Sequence, residues 1–324
     1  MKHELLKILD GFKNKKILVI GDIMLDKYIW GDVTRISPEA PVQIVNALRE
    51  TYAPGGASNV ASNASALNAK VFMAAIAGND EAKNILLDEL KKKGINTDGI
   101  FIDKNKPTTQ KVRIMGRNQQ LLRVDYEKKD SVNPSIEKSM TNFLQEKIKE
   151  TDAIVISDYA KGVITEKLCK TMVQLAKEYD KKIIVDPKPN HRDFYKNVDL
   201  ITPNNIEASE MSDIEDDSDD AVLSMGQKLM KSLNTNVLIT RGEKGMALFE
   251  KGASVTHIPA KAKEVYSLIG AGDTVAATIA LAMACGANLK DACILANIAA
   301  GIKVGKIGTA SVSIEEIKKE IAIM

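Results

Sequence analysis

Lys16-Ile17-Leu18-Val19-Ile20-Gly21-Asp22 is an unbroken apolar run that ends on a glycine and a carboxylate. A strand buried on both faces has this composition, because neither face can carry polar side chains. Val71-Phe72-Met73-Ala74-Ala75-Ile76, Ala153-Ile154-Val155-Ile156-Ser157-Asp158 and Lys182-Ile183-Ile184-Val185-Asp186 read the same way, as do Leu200-Ile201-Thr202-Pro203-Asn204 and Val237-Leu238-Ile239-Thr240-Arg241-Gly242. Helical spacing between these runs predicts helices over 57–67, 82–93, 136–149, 165–179, 219–233 and 274–284. Strands alternating with helices build a parallel sheet with helices on both faces, so the fold class is α/β.

Five of the strands end on Asp22, Asp158, Asp186, Asn204 and Gly242. Ligands of open parallel sheets bind outside the strands' carboxyl ends. One aspartate there needs only a turn to explain it; five polar ends on one edge point to a binding site. Residues 28–50 and 107–125 break the pattern. Pro41-Val42-Gln43-Ile44-Val45 and Thr109-Gln110-Lys111-Val112-Arg113-Ile114-Met115 alternate apolar and polar residues in the β manner. They predict a small antiparallel sheet that covers the strand-end edge. Its second face needs cover, which a second copy of the chain can provide. The acidic run 213–220 reads as a solvated loop feeding a helix N-terminus.

Bulk properties exclude several classes of function. The 324 residues carry 45 basic and 43 acidic side chains, and 4% are aromatic. Near-zero net charge and few aromatics argue against a nucleic-acid or membrane partner. No apolar run reaches the length of a membrane span. Cys169, Cys285 and Cys293 are scattered and odd in number, which fits reduced thiols in a cytoplasmic protein. His3, His191 and His257 are far apart, and no Cys/His spacing resembles a zinc site.

The chemistry concentrates at Ile269-Gly270-Ala271-Gly272-Asp273-Thr274-Val275-Ala276-Ala277. Glycines let backbone approach a ligand closely, and the following helix aims its free N–H groups at the same spot. That makes an anion hole. A carboxylate beside it is the minimum equipment for moving a phosphoryl group, since it can take a proton from an attacking hydroxyl. An ordinary helix with an aspartate cap is the other reading of these residues.

Four motifs in order resemble the ribokinase (PfkB) family of sugar kinases over nearly the whole chain. They are Gly55-Gly56-Ala57-Ser58-Asn59-Val60-Ala61, Asn204-Asn205-Ile206-Glu207, Thr240-Arg241-Gly242-Glu243-Lys244-Gly245 and Gly270-Ala271-Gly272-Asp273. The resemblance implies one kinase domain over 1–324 with a ribokinase-like three-layer fold: a mostly parallel central sheet and a small β lid at 28–50 and 107–125. Further stretches are similar to the heptose 7-phosphate kinases of that family: 21–28, 35–42, Arg117-Asn118-Gln119-Gln120-Leu121-Leu122-Arg123-Val124-Asp125 and Ser157-Asp158-Tyr159-Ala160-Lys161-Gly162. Such kinases are often fused to a nucleotidyltransferase. None follows residues 308–313 in this sequence, so a stand-alone kinase is expected. Ser267 and Leu268 depart from the family, which opens this region with Asp and then Thr, Ser or Val.

The resemblance implies ATP and Mg²⁺ and, in some relatives, a monovalent cation near the loop that holds Ser267. It implies that Asp273 accepts the proton while Gly270, Ala271 and Gly272 offer N–H groups to the migrating phosphoryl. Asp26, Gly55, Gly56 and Asn59 would grip the sugar; Asp22 could do the same or simply end its strand. Arg117 and Lys161, then Lys111 and Arg113, would hold the acceptor's phosphate, with Asn118 and Gln119 on its hydroxyls. Asn204 and Glu207 would hold Mg²⁺ through water. Lys188, Thr240, Gly242, Gly245 and Asn297 would border the nucleotide; Lys188 as a surface lysine and Asn297 as a packing residue are the plainer alternatives. The expected partners are a small sugar phosphate and a second copy of the chain, through the lid. A family kinase for another sugar, sugar phosphate or nucleoside is the nearest rival, and a catalytically impaired binding protein the next.

Overall fold

Leu18 and Ile20 point to one face of the first strand, Ile17 and Val19 to the other, and all four are fully buried. The two sets belong to two separate apolar clusters, one on each side of the sheet. The run is therefore uniformly apolar because it has two buried faces to fill. The computed structural model describes residues 1–117, 119–130, 132–261, 266–306 and 310–324.

Along the chain, α1 (Lys2–Asp10) and β1 (Lys16–Gly21) lead into a long hairpin of β2 (Ile23–Ile36) and β3 (Gln43–Gly56). Next come α2 (Ala57–Ala66), β4 (Lys70–Ala77), α3 (Glu81–Lys92) and β5 (Asn96–Ile102). A second hairpin, β6 (Gln110–Gly116) and β7 (Gln119–Tyr126), precedes α4 (Pro134–Lys147), β8 (Ala153–Ser157), α5 (Glu166–Glu178), β9 (Lys182–Asp186) and β10 (Leu200–Ile201). The last part holds α6 (Asn205–Ser212), α7 (Asp219–Leu233), β11 (Asn236–Thr240), β12 (Met246–Phe249), β13 (Thr256–Ile258), α8 (Ala271–Ala284), α9 (Leu289–Val304) and α10 (Ile314–Ile323).

The large sheet has nine strands in the order β13-β12-β11-β10-β9-β8-β1-β4-β5. Only β12 and β13 run antiparallel to their neighbours. With helices on both faces this is the three-layer α/β arrangement expected. The order reverses direction of growth between β1 and β8, which opens a crevice at their carboxyl ends. All six expected strands are present. Sheet pairing in the 200–204 run stops at Ile201, and the chain continues through Pro203 to Asn204, which bridges Thr240. The acidic run behaves as read: Ser218 caps α7, and Asp219 and Asp220 occupy its first turn. Among the described residues no helix is long and apolar enough to cross a membrane.

The small sheet has the order β3-β2-β6-β7. Both outer pairings are antiparallel, as hairpins require, but the central β2–β6 pairing is parallel. The chain passes through α2, β4, α3 and β5 between those two strands, a connection long enough to bring them together in the same direction. The sheet also starts deeper than the alternating pattern shows. Ile23, Met24 and Leu25 are buried in the core and so carry no polar alternation, yet they already pair with Gly56, Gly55 and Pro54.

Candidate active site

The start of α8 sets the centre. Gly270 caps the helix with φ +77°, a left-handed conformation that glycine adopts without strain. A Cβ there would also lie 2.5 Å from Asn59 Nδ2. Gly272 is different: a Cβ on it would meet nothing within 4 Å. The protein's own packing does not require that glycine, and the space beside it at the helix start is open; the Ala271 N–H donates to the Leu268 carbonyl at 3.3 Å. Below this mouth α8 is buried all round from Asp273 to Ala282, as its alanine-rich sequence allows.

Asp273 is the buried carboxylate at this mouth. Asn59 Nδ2 donates to its Oδ2 at 2.6 Å and Tyr159 Oη donates to its Oδ1 at 3.0 Å. Burial pushes the Asp273 pKa above the ordinary carboxylate value, and those two hydrogen bonds pull partly against it. Asn59 is itself held, because Asn63 Nδ2 donates to its carbonyl and Thr274 Oγ1 donates to Asn63 Oδ1. The first and second glycine motifs thus meet through a hydrogen bond between α2 and α8. Asp273 serves as more than a helix cap: its side chain makes no cap bond to the backbone.

The small sheet supplies the next wall. Asp26 is buried and pairs with Arg113 Nη1 at 2.5 Å, while the guanidinium lies over the Tyr28 ring. Arg113 is therefore spent on neutralising Asp26. Lys111, one strand register back toward the core, is half-buried, lies over the Tyr159 ring at 5.7 Å and makes no ion pair among the described residues. Burial lowers its pKa, with Asp26 acting in the opposite direction. Gly55 leaves room for the Asp26 carboxylate, since a Cβ would sit 2.5 Å from its Oδ2; Gly56 has φ +57° and lies against the Asp22 carbonyl. Local packing explains both glycines. Asp22 accepts from the backbone N–H groups of Tyr159 and Lys161 at Oδ2 and of Val163 at Oδ1, so it clamps the turn after β8.

Across the crevice, Lys188 pairs with Glu207 in a very close contact and lies over the Tyr159 ring, 5.5 Å from its centroid. Burial opposes the Lys188 charge, but the Glu207 hydrogen bond prevails and raises its pKa. Asn204 and Glu207 form a reciprocal capping box at the start of α6. Asp186, at the end of β9, has its pKa pushed well up by burial and then by Asp273 and Glu207. Crowded carboxylates with Lys188 as the nearby cation are an environment that a hydrated Mg²⁺ would relieve. Among the described residues no three His, Cys, Asp or Glu groups lie close enough to hold a metal ion directly. Thr240 lies next to Asn204 in the bridge, and Gly242 and Gly245 follow with φ +56° and +79°. Asn297 is buried and donates to the Pro259 carbonyl. Beside its helix lies a cavity of about 450 Å³ lined by Tyr266, Ile298, Gly301, Ile302, Gly305 and Glu320, among others.

Three expected acceptor residues are not brought to this centre. Arg117 is exposed at the β6–β7 turn with φ +55°, and Gln119 is exposed beside it. From Lys111 to Arg117 the extended chain covers roughly 20 Å. Lys161 is closer but paired with Glu127 Oε2 at 2.5 Å. Asn118 lies outside the described residues. Conversely, sequence reasoning gave no role to Tyr159, Asp186 or His191. Asp158 accepts from Tyr195 Oη at 2.7 Å and lies 2.7 Å from His191 Nδ1. The available signal was the strand-end position of Asp158 and Asp186 and the tyrosine that follows Asp158.

The sequence profile of the pfkB family carbohydrate kinases matches residues 14–317. The bifunctional protein HldE of Geobacter metallireducens is 44% identical over 93% of this chain and 61% of its own length. HldE of Helicobacter pylori strain J99 is 43% identical over 94% of this chain and 65% of its own. The chain thus spans a little over three-fifths of these relatives. Arabidopsis thaliana ribokinase complexed with ribose and ATP superposes with a TM-score of 0.73 over 95% of this chain and 99% of that one, at 18% identity. Escherichia coli phosphofructokinase-2 in complex with potassium gives 0.77 over 96% and 99%, also at 18% identity. The nine-stranded fold, the open glycine mouth beside a buried aspartate and a profile match over nearly the full chain agree: the chain belongs to the pfkB family of carbohydrate kinases.

Proposed function

We propose that the chain transfers the γ-phosphoryl group of ATP to the anomeric hydroxyl of D-glycero-β-D-manno-heptose 7-phosphate, giving the 1,7-bisphosphate and ADP. The observation that carries this reading is Asp273, held by Asn59 and Tyr159 beside the open N-terminus of α8. Each Asp273 oxygen accepts one hydrogen bond and keeps lone-pair capacity for a proton. The sugar O1 bonds to the γ-phosphorus, its proton passes to Asp273, and the bond from phosphorus to the ADP oxygen breaks. The N–H groups of Gly270, Ala271 and Gly272 stabilise the charge on the migrating group. Mg²⁺, when bound, offsets phosphate charge, and Asn204 and Glu207 would hold it through its water shell. Lys188 shifts from Glu207 toward the ATP phosphates. The cavity along α9 would take the nucleoside, with Asn297, Thr240, Gly242 and Gly245 as its further neighbours on the nucleotide side.

On the acceptor side Asp26 and Asn59 bind sugar hydroxyls, and Lys111 is the first candidate for the 7-phosphate. It is half-buried, its charge acts on both Asp26 and Asp273, and it makes no ion pair among the described residues. Lys161 would have to leave Glu127, and Arg117 and Gln119 reach the sugar only if the sheet bends or a partner subunit presents them. The small sheet acts as the lid of a single domain and pairs with its copy in a cytoplasmic homodimer. A monovalent cation would sit by the 266–270 loop, where Ser267 brings a hydroxyl in place of a carboxylate. The heptose reading is supported by the 117–125 and 157–162 motifs and by similarity to proteins named HldE over more than nine-tenths of the chain. ADP formation with heptose 7-phosphate, free heptose, fructose 6-phosphate and ribose tests it. Heptose 7-phosphate should react best, and Lys111→Met should raise its KM about 10- to 100-fold while leaving the KM for ATP unchanged. Equal turnover of free heptose would remove the phosphate pocket from the reading.

A further inference from the structure

We propose that Tyr159 is a positioning residue for Asp273: its hydroxyl fixes the carboxylate's rotation and favours the ionised form, while its ring contacts a lysine of the acceptor side and one of the nucleotide side. This deepens the reading of Asp273 as proton acceptor and rests on it. The geometry is specific. The Tyr159 hydroxyl donates to Asp273 Oδ1 at 3.0 Å, opposite the Asn59 bond to Oδ2. Lys111 Nζ lies 5.7 Å from the ring centroid and Lys188 Nζ 5.5 Å. The two cations come from β6 and from the chain after β9, so one ring touches both substrate sides and the base.

The backbone under Tyr159 is held with unusual firmness. Its N–H donates to Asp22 Oδ2 at 2.9 Å, and that of Ala160 to Asp158 Oδ1 at 2.7 Å. Ala160 has φ +52°, a left-handed conformation that strains a non-glycine residue. Two buried aspartates therefore hold a strained turn whose exposed product is the direction of one tyrosine. Packing alone would be served by phenylalanine; the hydroxyl is the part that reaches the carboxylate. Burial and then the Asp273 charge push the tyrosine pKa well up, so it remains a donor across the working pH range.

Other groups also face Asp273. Asn59 comes from α2, Asp26 and Lys111 from the small sheet, Asp186 from β9 and Lys303 from α9. Tyr159→Phe leaves all of them in place, so a change in Asp273 reports the hydroxyl. The experiment follows the Asp273 side-chain carbon by NMR in protein labelled at aspartate, with its signal assigned by its loss in Asp273→Asn, and measures kcat against pH on the same samples. In Tyr159→Phe the Asp273 titration should move up by about one pH unit. The acid limb of kcat should move with it, giving roughly tenfold lower kcat below the limb, while the KM for ATP stays the same. An unmoved Asp273 titration overturns the proposal. A titration that moves while the acid limb stays put keeps Tyr159 as the tuner of Asp273 but removes Asp273 from the base role.

Discussion

Asp273 shows how much a single residue's surroundings decide. Its neighbours supply two hydrogen bonds at 2.6 and 3.0 Å, yet burial still raises its pKa. A raised carboxyl loses its proton-accepting form as pH falls through a value above the ordinary range near 4. Turnover should therefore fail on acidification sooner than an exposed aspartate would make it fail. Asp273→Asn keeps the shape and the Tyr159 contact but cannot take the proton. It should lower kcat by about 10²- to 10⁴-fold with nucleotide binding retained, read by steady-state turnover and calorimetric titration with ATP. Near-parental turnover would take the base role away from it.

At the scale of elements, the turn after β8 depends on carboxylates that do no chemistry. Asp22 accepts three backbone N–H groups there, and Asp158 accepts the Ala160 N–H and the Tyr195 hydroxyl and meets His191. The Asp158 hydrogen bond raises the His191 pKa, with burial acting against it. A raised histidine stabilises the fold when charged. That contribution is fully present below the unfolded value of about 6.5 and is lost as pH rises through the higher folded value. His191→Gln should thus cost about 1–2 kcal/mol at pH 5.5, with the deficit narrowing in alkaline buffer, as measured by urea unfolding. A deficit of equal size at both pH values would show that the ring acts only by stacking on Phe194. Asn204 and Glu207 teach a related point. The same Asn-x-x-Glu spacing that points to a metal also builds a capping box, and in this chain it does build one. Any water-bridged ion must share Glu207 with the cap and with Lys188.

At the scale of the whole molecule, the small sheet joins the core through Ile23 and Leu25, and its outer part carries exposed apolar side chains. Val112 is buried, but Val42, Leu48 and Leu122 are 56%, 71% and 57% exposed, with Ile36, Val124 and Tyr126 exposed beside them. Soluble chains seldom leave so many large apolar side chains on one unit without covering them. Two-fold pairing of this sheet with its copy is the commonest way for a homo-oligomer to do so. Sedimentation at micromolar concentration should show a dimer, and Leu48→Glu with Leu122→Glu should shift it toward monomer. A fully active monomeric parent would leave the sheet as a lid alone.

The sequence by itself determined the layers. Short Val/Ile/Leu runs bounded by turn residues suit strands buried on two faces, and the glycine turn before an alanine-rich segment suits the start of a buried helix, so the elements at 16–22 and 269–277 were legible without coordinates. The depth of the small sheet was not, because Ile23–Leu25 serve the core as well and lose their alternation. The choice among basic residues was not legible either. Lys111, Arg113, Arg117 and Lys161 look alike in sequence. Only the tertiary structure pairs Arg113 with Asp26 and Lys161 with Glu127, leaves Arg117 at the far turn and sets Lys111 beside Tyr159. Tyr159 itself sits 114 positions from the aspartate it touches. Periodicity reports which face of an element is buried, whereas a charge or hydroxyl acquires its role from the partner that folding brings within about 3 Å.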